Sequence, residues 1–334
     1  MQAALLDGYG QSLRLAEVPD PISADHEVVI RVMAVGLCHT DLHLIDGQPA
    51  ILPGFPAILG HESAGVIESC GAAVTDWQIG AHVAVFGAQG CGACSRCTQD
   101  LENLCQEQTL SMNGIGRAGG FAQLMTVDAR HLVDCGGLDS TEAAVLTDAG
   151  LTSYRAVMRA IGLRPDPGTI AIVGSGGLGQ YAIQYARTLT SAHVIAIEPN
   201  AGRAQHALSL GADATFTPER CQAVLGSCDI VLDFVASHDT LALSSTLLCP
   251  GAVLNIVGLG EGTLPVGFFA LPPEASITTT SWGSRGDLGN VFDLARGGTV
   301  QSTIQRYPLG DINAALADLR GGRITGRAVI TPNC

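Results

Sequence analysis

Short apolar runs bounded by glycine, proline or aspartate dominate the first 150 residues, and three of them, 27–35, 64–69 and 82–86, read as strands of a β-rich segment. The rhythm changes after Asp148-Ala149-Gly150-Leu151-Thr152. From there apolar strand candidates alternate with helical patterns: strand 169–173, helix 178–189, strand 193–197, helix 201–210, strand 229–234, helix 239–248 and strand 252–257. Uninterrupted apolar strands separated by helices predict a doubly wound parallel sheet covered on both faces. Beyond Trp282-Gly283 the pieces 286–296, 311–320 and 326–331 are read as returning to the first domain. The expected class is therefore α/β, with a β-rich domain of residues 1–150 and 286–334 and a doubly wound domain of residues 151–285.

Composition agrees with two folded domains. The chain has 334 residues, 47% of them hydrophobic and 14% charged, which is globular rather than disordered. Net charge is -14, and all 17 basic residues are arginines. Such a surface repels nucleic acid and anionic membranes, so neither is an expected partner. The absence of lysine excludes a lysine Schiff base and a P-loop lysine. No window reaches the run of about 18 apolar residues that a membrane span needs. The opening residues lack a charged secretory start, and eleven cysteines without one point to a reducing compartment, so the expected location is the cytoplasm. Six cysteines stand singly (Cys70, Cys135, Cys221, Cys228, Cys249 and Cys334) and are read as core thiols.

The strand-to-helix turn after residue 173 carries a nucleotide fingerprint. Gly174-Ser175-Gly176-Gly177-Leu178-Gly179 supplies G-x-G-x-x-G directly after an apolar strand and at a helix start, the context of a Rossmann dinucleotide site. Gly174 permits the tight turn, Gly176 lets the backbone approach a pyrophosphate, Gly179 lets helix and strand pack closely, and the helix N-terminus offers N–H groups to phosphate. Glu198 ends the next strand 19 residues beyond Gly179. A carboxylate there accepts hydrogen bonds from ribose hydroxyls and repels a 2′-phosphate, which favours NAD, while Arg203, five residues on, leaves some tolerance for phosphate.

Two sets of metal-ligand residues accompany it. Cys91, Cys94, Cys97 and Cys105 form a C-x2-C-x2-C-x7-C knuckle; disulfides are the alternative use, but repeated two-residue gaps fit tetrahedral thiolate ligation of zinc better. Cys38, His61 and Asp148 form a second, open set, with Glu62 adjacent. Structural zinc takes four protein ligands, whereas catalytic zinc takes about three and keeps one position for water or substrate. Singly, each residue of the open set has a plainer reading: a core cysteine, a hydrogen-bonded histidine, an aspartate capping a helix.

Together these motifs, Cys38-His39-Thr40-Asp41, Gly60-His61-Glu62, the cysteine quartet, Asp148-Ala149-Gly150-Leu151-Thr152 and the glycine turn, make the chain resemble the zinc-dependent medium-chain alcohol dehydrogenases over essentially its whole length. The resemblance implies a GroES-like fold for the β-rich domain, two zinc ions per chain, and NAD. It makes Cys38, His61 and Asp148 the catalytic ligands, with aspartate where many members carry cysteine, as in bacterial secondary-alcohol dehydrogenases. Glu62 matches a carboxylate that family members use near the metal in ligand exchange, and Asp41 is placed to orient His61. Thr40 and His43 match a hydroxyl-to-imidazole proton relay, His39 a pyrophosphate contact, and Thr152 a position beside the nicotinamide. Pocket walls are implied around Thr40, His43, Phe55, the segment after Val85, Ile115 and Trp282. The expected substrates are medium-sized secondary alcohols and ketones; a polyol dehydrogenase, an iminium or enoyl reductase, and a non-enzymatic zinc and nucleotide scaffold are the weaker readings. The resemblance also implies a homodimer or homotetramer joined through the last sheet strand, residues 276–281.

Overall fold

The computed structural model describes residues 1–107 and 112–333. In chain order the elements are β1 (Gln2–Leu5), β2 (Arg14–Glu17), β3 (Glu27–Gly36), α1 (His39–Asp46), β4 (Glu62–Cys70), β5 (His82–Val85), β6 (Leu124–Asp128), β7 (Leu132–Asp134), α2 (Ser140–Val145) and α3 (Leu151–Leu163). They continue as β8 (Thr169–Val173), α4 (Gly179–Leu189), β9 (His193–Ile197), α5 (Ala201–Ser209), β10 (Ala214–Phe216), β11 (Cys228–Asp233), α6 (His238–Leu247), β12 (Leu248–Ile256), β13 (Ser276–Thr279), α7 (Arg285–Arg296), β14 (Ile304–Pro308), α8 (Ile312–Arg320) and β15 (Arg327–Thr331). Two compact units share them: Met1–Asp148 with Ser284–Arg296 and Ser302–Cys334, and Ala149–Gly283 with Gly297–Gln301.

The first unit is built on a mixed sheet in the order β14-β15-β3-β4-β5-β7, with β6 pairing β3. Strand β3 is its spine. Its alternate residues Val28, Ile30, Val32 and Ala34 are buried, and so are Val29 and Val35, because other chain covers both faces. The antiparallel pair β3–β4 sets Gly36 opposite Glu62 and Val35 opposite Ser63, so the end of β3 delivers the chain into Cys38 at the level where β4 begins. Gly36 is required there: a Cβ on it would lie 2.1 Å from the Glu62 carboxylate.

In the second unit six parallel strands run β10-β9-β8-β11-β12-β13. The chain winds outward from β8 to β9 and β10, then crosses to β11 and winds the other way. The reversal between β8 and β11 is the switch point at which such sheets bind ligands. Residues 170–173 are buried throughout, which explains why the strand reads as an unbroken apolar run rather than an alternating one. Gly297–Gln301 belong to this unit through Gln184, whose amide donates to the Gln301 carbonyl (3.0 Å) and accepts from its N–H (2.8 Å).

Strand β12 begins at Leu248, four residues before the sequence places it, because Leu248 pairs with Cys228 across an irregularity in the register. Of the single cysteines, Cys135, Cys221 and Cys228 are buried core thiols, while Cys70 and Cys249 are only half-buried. Cys334 lies outside the described residues. Among those residues no helix is long and apolar enough to cross a membrane.

Candidate active site

Cys38 stands at the N-cap of α1, with extended backbone, and Asp41 in the first turn completes a capping box. One Asp41 oxygen accepts the Cys38 N–H (2.9 Å) and the other lies 3.4 Å from Nδ1 of His61. Asp41 is fully buried, so a single carboxylate fixes the backbone of one potential ligand and faces the imidazole of another. His61 follows Gly60, whose φ of +94° suits glycine, and the loop that bears Gly114 lies so close that a Cβ on Gly114 would meet the His61 nitrogen at 2.7 Å.

Asp148 comes from a different device. Residues 146–150 form a single π-helical turn between α2 and α3, and the N-cap of α3 is Gly150, so Asp148 is not a helix cap. Extra-residue turns of this kind re-aim a side chain, and they concentrate at functional sites. Here the turn sets Asp148 Oδ2 at 3.5 Å from His61 Nε2 and 3.7 Å from Cys38 Sγ. The ligand atoms of Cys38, His61, Glu62 and Asp148 all lie within 4.8 Å of one another. Thr40 Oγ1 is 3.5 Å from Cys38 Sγ; His43 follows one turn later on α1 and is half-buried, whereas His39 is exposed.

Burial alone would lower the His61 pKa, but Asp41, Asp148 and Cys38 outweigh it and hold the imidazole well above its ordinary value. Glu62 is pushed up to about 7 by burial and the Asp148 charge, against the opposing pull of Arg327. Arg327 donates to Glu62 Oε1, and neither side chain is more than 4% exposed. Sequence reasoning missed Arg327. Its signal is a lone cation inside Arg-Ala-Val-Ile-Thr, a strand buried along its whole length.

The cysteine quartet forms the second cluster. Sγ–Sγ distances are 3.6 Å for Cys94–Cys97, 3.9 Å for Cys91–Cys97 and 3.9 Å for Cys94–Cys105. Four thiolates at about 2.3 Å from a tetrahedral zinc stand about 3.8 Å apart, so the set fits that ion. All ten described cysteines are free, which removes the disulfide alternative for the quartet. Backbone N–H groups of Ala93 and Cys94 point at Cys91 Sγ (3.4 and 3.3 Å), and those of Cys97 and Gln106 bring the Cys94 thiol down to about 6. Burial instead pushes Cys97 up to about 12.

In the second unit Gly174 has φ +83°, and a Cβ on Gly179 would lie 2.0 Å from the Gly174 carbonyl oxygen. A Cβ on Gly176 would meet nothing within 4 Å, which leaves a cradle open above the turn. Gly177 and Leu178 complete the approach to α4; the Leu178 carbonyl accepts the hydroxyl of Ser153 (2.8 Å), next to the buried Thr152. Glu198, 2% exposed, closes the turn from the side: Oε2 accepts the Ser175 N–H (3.0 Å) and Oε1 accepts the Asn200 N–H (2.9 Å) and an Arg203 guanidinium N–H (2.8 Å). Burial raises its pKa, but Arg203 and these N–H groups prevail and hold it below the usual range.

Family models match in both units: an alcohol dehydrogenase GroES-like domain over residues 24–136 and a zinc-binding dehydrogenase domain over residues 177–296. The chain is 33% identical over 340 residues to an alcohol dehydrogenase of Moraxella sp. (strain TAE123), with 99% of each chain covered. It is 31% identical to an alcohol dehydrogenase of Geobacillus stearothermophilus, again with 99% of each covered. The crystal structure of the alcohol dehydrogenase from Aeropyrum pernix superposes with a TM-score of 0.92 at 31% identity, covering 99% of this chain and 100% of that one. Acetophenone reductase from Geotrichum candidum, solved in complex with NAD, gives 0.88 at 29% identity, covering 99% and 97%. The chain belongs to the zinc-dependent medium-chain alcohol dehydrogenases. Two zinc ions and NAD fit its two clusters and its glycine turn.

Proposed function

We propose that the chain interconverts medium-sized secondary alcohols and their ketones by hydride transfer to and from NAD, with Cys38, His61 and Asp148 as the ligands of a catalytic zinc. The observation that carries this reading is the meeting of a thiol, an imidazole and a carboxylate at one point. The ligand atoms of Cys38, His61 and Asp148 lie together there, and three ligands are the number expected of a catalytic rather than a structural site. Glu62 stands beside them with Oε1 bonded to Arg327 and Oε2 without a hydrogen-bond partner among the described residues. Zinc bound there supplies a Lewis acid that stabilises negative charge on the substrate oxygen. The protein's own groups do the rest. Asp41 holds His61 in one ring orientation and the backbone of Cys38 in place. Thr40 and His43, one turn apart on α1, are the candidates for carrying the substrate proton outward. His39, exposed at the start of α1, is the candidate for a pyrophosphate contact, and Thr152 for the nicotinamide end.

The quartet Cys91, Cys94, Cys97 and Cys105 is the structural zinc site in this reading. Gly174, Gly176, Gly177, Leu178 and Gly179 receive the pyrophosphate, and Glu198 with Arg203 the adenosine ribose. The first unit is then catalytic and the second binds the nucleotide. Preference for ketones has support from the likeness to acetophenone reductase. The reading includes a cytoplasmic homodimer or homotetramer. Strand β13 forms one edge of the parallel sheet, an open rim of the kind that pairs with a second copy, and light scattering reads the assembly directly.

A panel of alcohols and ketones, followed by nicotinamide absorbance on zinc-loaded protein, tests the substrate class. Secondary alcohols should give the highest kcat/KM. A preference for polyols or for primary alcohols would redirect the assignment.

A further inference from the structure

Arg285 opens α7 in the first unit, and the mechanism above gives it no task. Its guanidinium carbon stands 5.2 Å from the centre of the Phe86 ring, its Nη1 donates to the Leu132 carbonyl (2.8 Å) and its Nη2 to the Arg130 carbonyl. Its backbone N–H reaches Glu102 (3.4 Å), and Glu102 lies between Cys97 and Cys105. Arg130 in turn donates to the carbonyl of Cys91 (3.0 Å). Its Nε also lies 4.0 Å from Glu102 Oε1, so the side chain is tied at one end to the four-cysteine lobe and at the other to the segment that leaves β5.

That segment borders the other cluster. Strands β4 and β5 pair antiparallel up to Ala64 opposite Ala84, and further along the segment Gln89 Nε2 donates to Asn113 Oδ1 (3.0 Å), next to Gly114, where a Cβ would meet the His61 nitrogen at 2.7 Å. Phe86 is fully buried, and its N–H bonds the His131 carbonyl (2.8 Å). Four residues on, Gly90 presses on the lobe so closely that a Cβ would lie 2.7 Å from Cys97 Sγ and 3.1 Å from the Glu102 Cβ. Residues 86–90 are therefore clamped between Arg285 and the lobe. A planar guanidinium suits this place because it stacks on a ring while its fork serves two carbonyls, which a lysine ammonium cannot do.

We propose that Arg285 is a positioning residue that couples the four-cysteine lobe to the Phe86 segment beside the Cys38–His61–Glu62–Asp148 cluster, so that order in the lobe sets the wall next to the reacting centre. The inference rests on the proposed catalytic role of that cluster only for its effect on turnover. Hydrogen exchange on the zinc-loaded full chain tests it. In Arg285→Met the peptide containing Phe86 should exchange at least about tenfold faster than in the wild type, as expected for loss of hydrogen bonds from a charged donor. Arg285→Lys should lie between, and its result stands alone should the methionine variant fail to fold. Peptides of residues 149–283 should keep their wild-type rates. In the same variants kcat/KM for an alcohol should fall, carried by KM rather than kcat, with affinity for NAD unchanged. Wild-type exchange rates at Phe86 in both variants, or acceleration spread evenly over the chain, would overturn the proposal. A wild-type protein with no dehydrogenase activity would instead strike the functional reading, and the exchange result would still decide the coupling.

Discussion

Glu62 and Arg327 stand 265 positions apart in the chain and form an ion pair that water scarcely reaches. Arg327 lies on β15, which pairs with the end of β3, and β3 pairs with β4, where Glu62 is the first residue. The sheet therefore carries a cation to one oxygen of a buried carboxylate that stands among the potential metal ligands.

Replacing Arg327 by Ala leaves the Glu62 carboxylate buried without its cation. Removing one partner of a buried pair typically costs about 3–5 kcal/mol. Urea denaturation of the zinc-loaded protein should show a loss in that range, and the double replacement Glu62→Leu, Arg327→Leu should recover most of it. A loss below about 1 kcal/mol for R327A would mean that the pair is not held as described.

Asp41→Asn keeps an acceptor for the Cys38 N–H but removes the charge that faces His61. Altering the partner of a metal-binding imidazole costs about 10–100-fold in metal affinity or activity. Competition with a zinc chelator should show weaker binding of one zinc of the two, with helix content by circular dichroism unchanged. Equal retention of both ions would deny Asp41 that role.

Much of the second unit was legible because its central strands are buried on both faces and read as unbroken apolar runs. Gly174 and Gly179 were legible for a different reason: a positive φ at one and a 2.0 Å approach of backbone at the other permit only glycine. What escaped depends on distant partners. Nothing local marks Arg327 as the mate of Glu62, since a residue in β15 acquires that neighbour only after two rounds of strand pairing. The short β10 has three half-buried residues and no periodicity to detect. Asp148 reads locally as a helix cap, and only the π-helical turn, a feature of backbone geometry without a side-chain signature, turns it toward His61.

His131 gives a pH dependence with a definite sign. Burial, with Arg130 and Arg285 nearby, pushes its pKa down to about 4 against the pull of Asp128. In the unfolded chain it titrates near 6.5. As the pH falls below about 6.5 the unfolded chain takes up a proton that the folded one refuses, so stability present above that pH is lost progressively toward pH 4. At pH 5 the loss from this group is about 2 kcal/mol. Urea midpoints at pH 7.5 and pH 5 should differ less in His131→Gln than in the wild type, and an identical pH effect in both would contradict the shift.

Glu198→Gln keeps the shape of the residue that closes the glycine turn and removes its charge. The ratio of kcat/KM for NAD to that for NADP should fall about tenfold, the effect of one ion-dipole or charge-repulsion contribution of roughly 1.4 kcal/mol. Arg203→Ala should move the ratio the other way, since it removes the cation paired with Glu198. An unchanged ratio in both would remove these two residues from cofactor selection.

Zinc content and turnover measured together on Asp148→Ala bear most directly on the whole account. The wild type should hold about two zinc ions per chain, and the variant about one, retained by the cysteine quartet, with NAD-linked alcohol oxidation abolished. Two ions in the variant, or turnover comparable to the wild type, would contradict a catalytic zinc held by Cys38, His61 and Asp148.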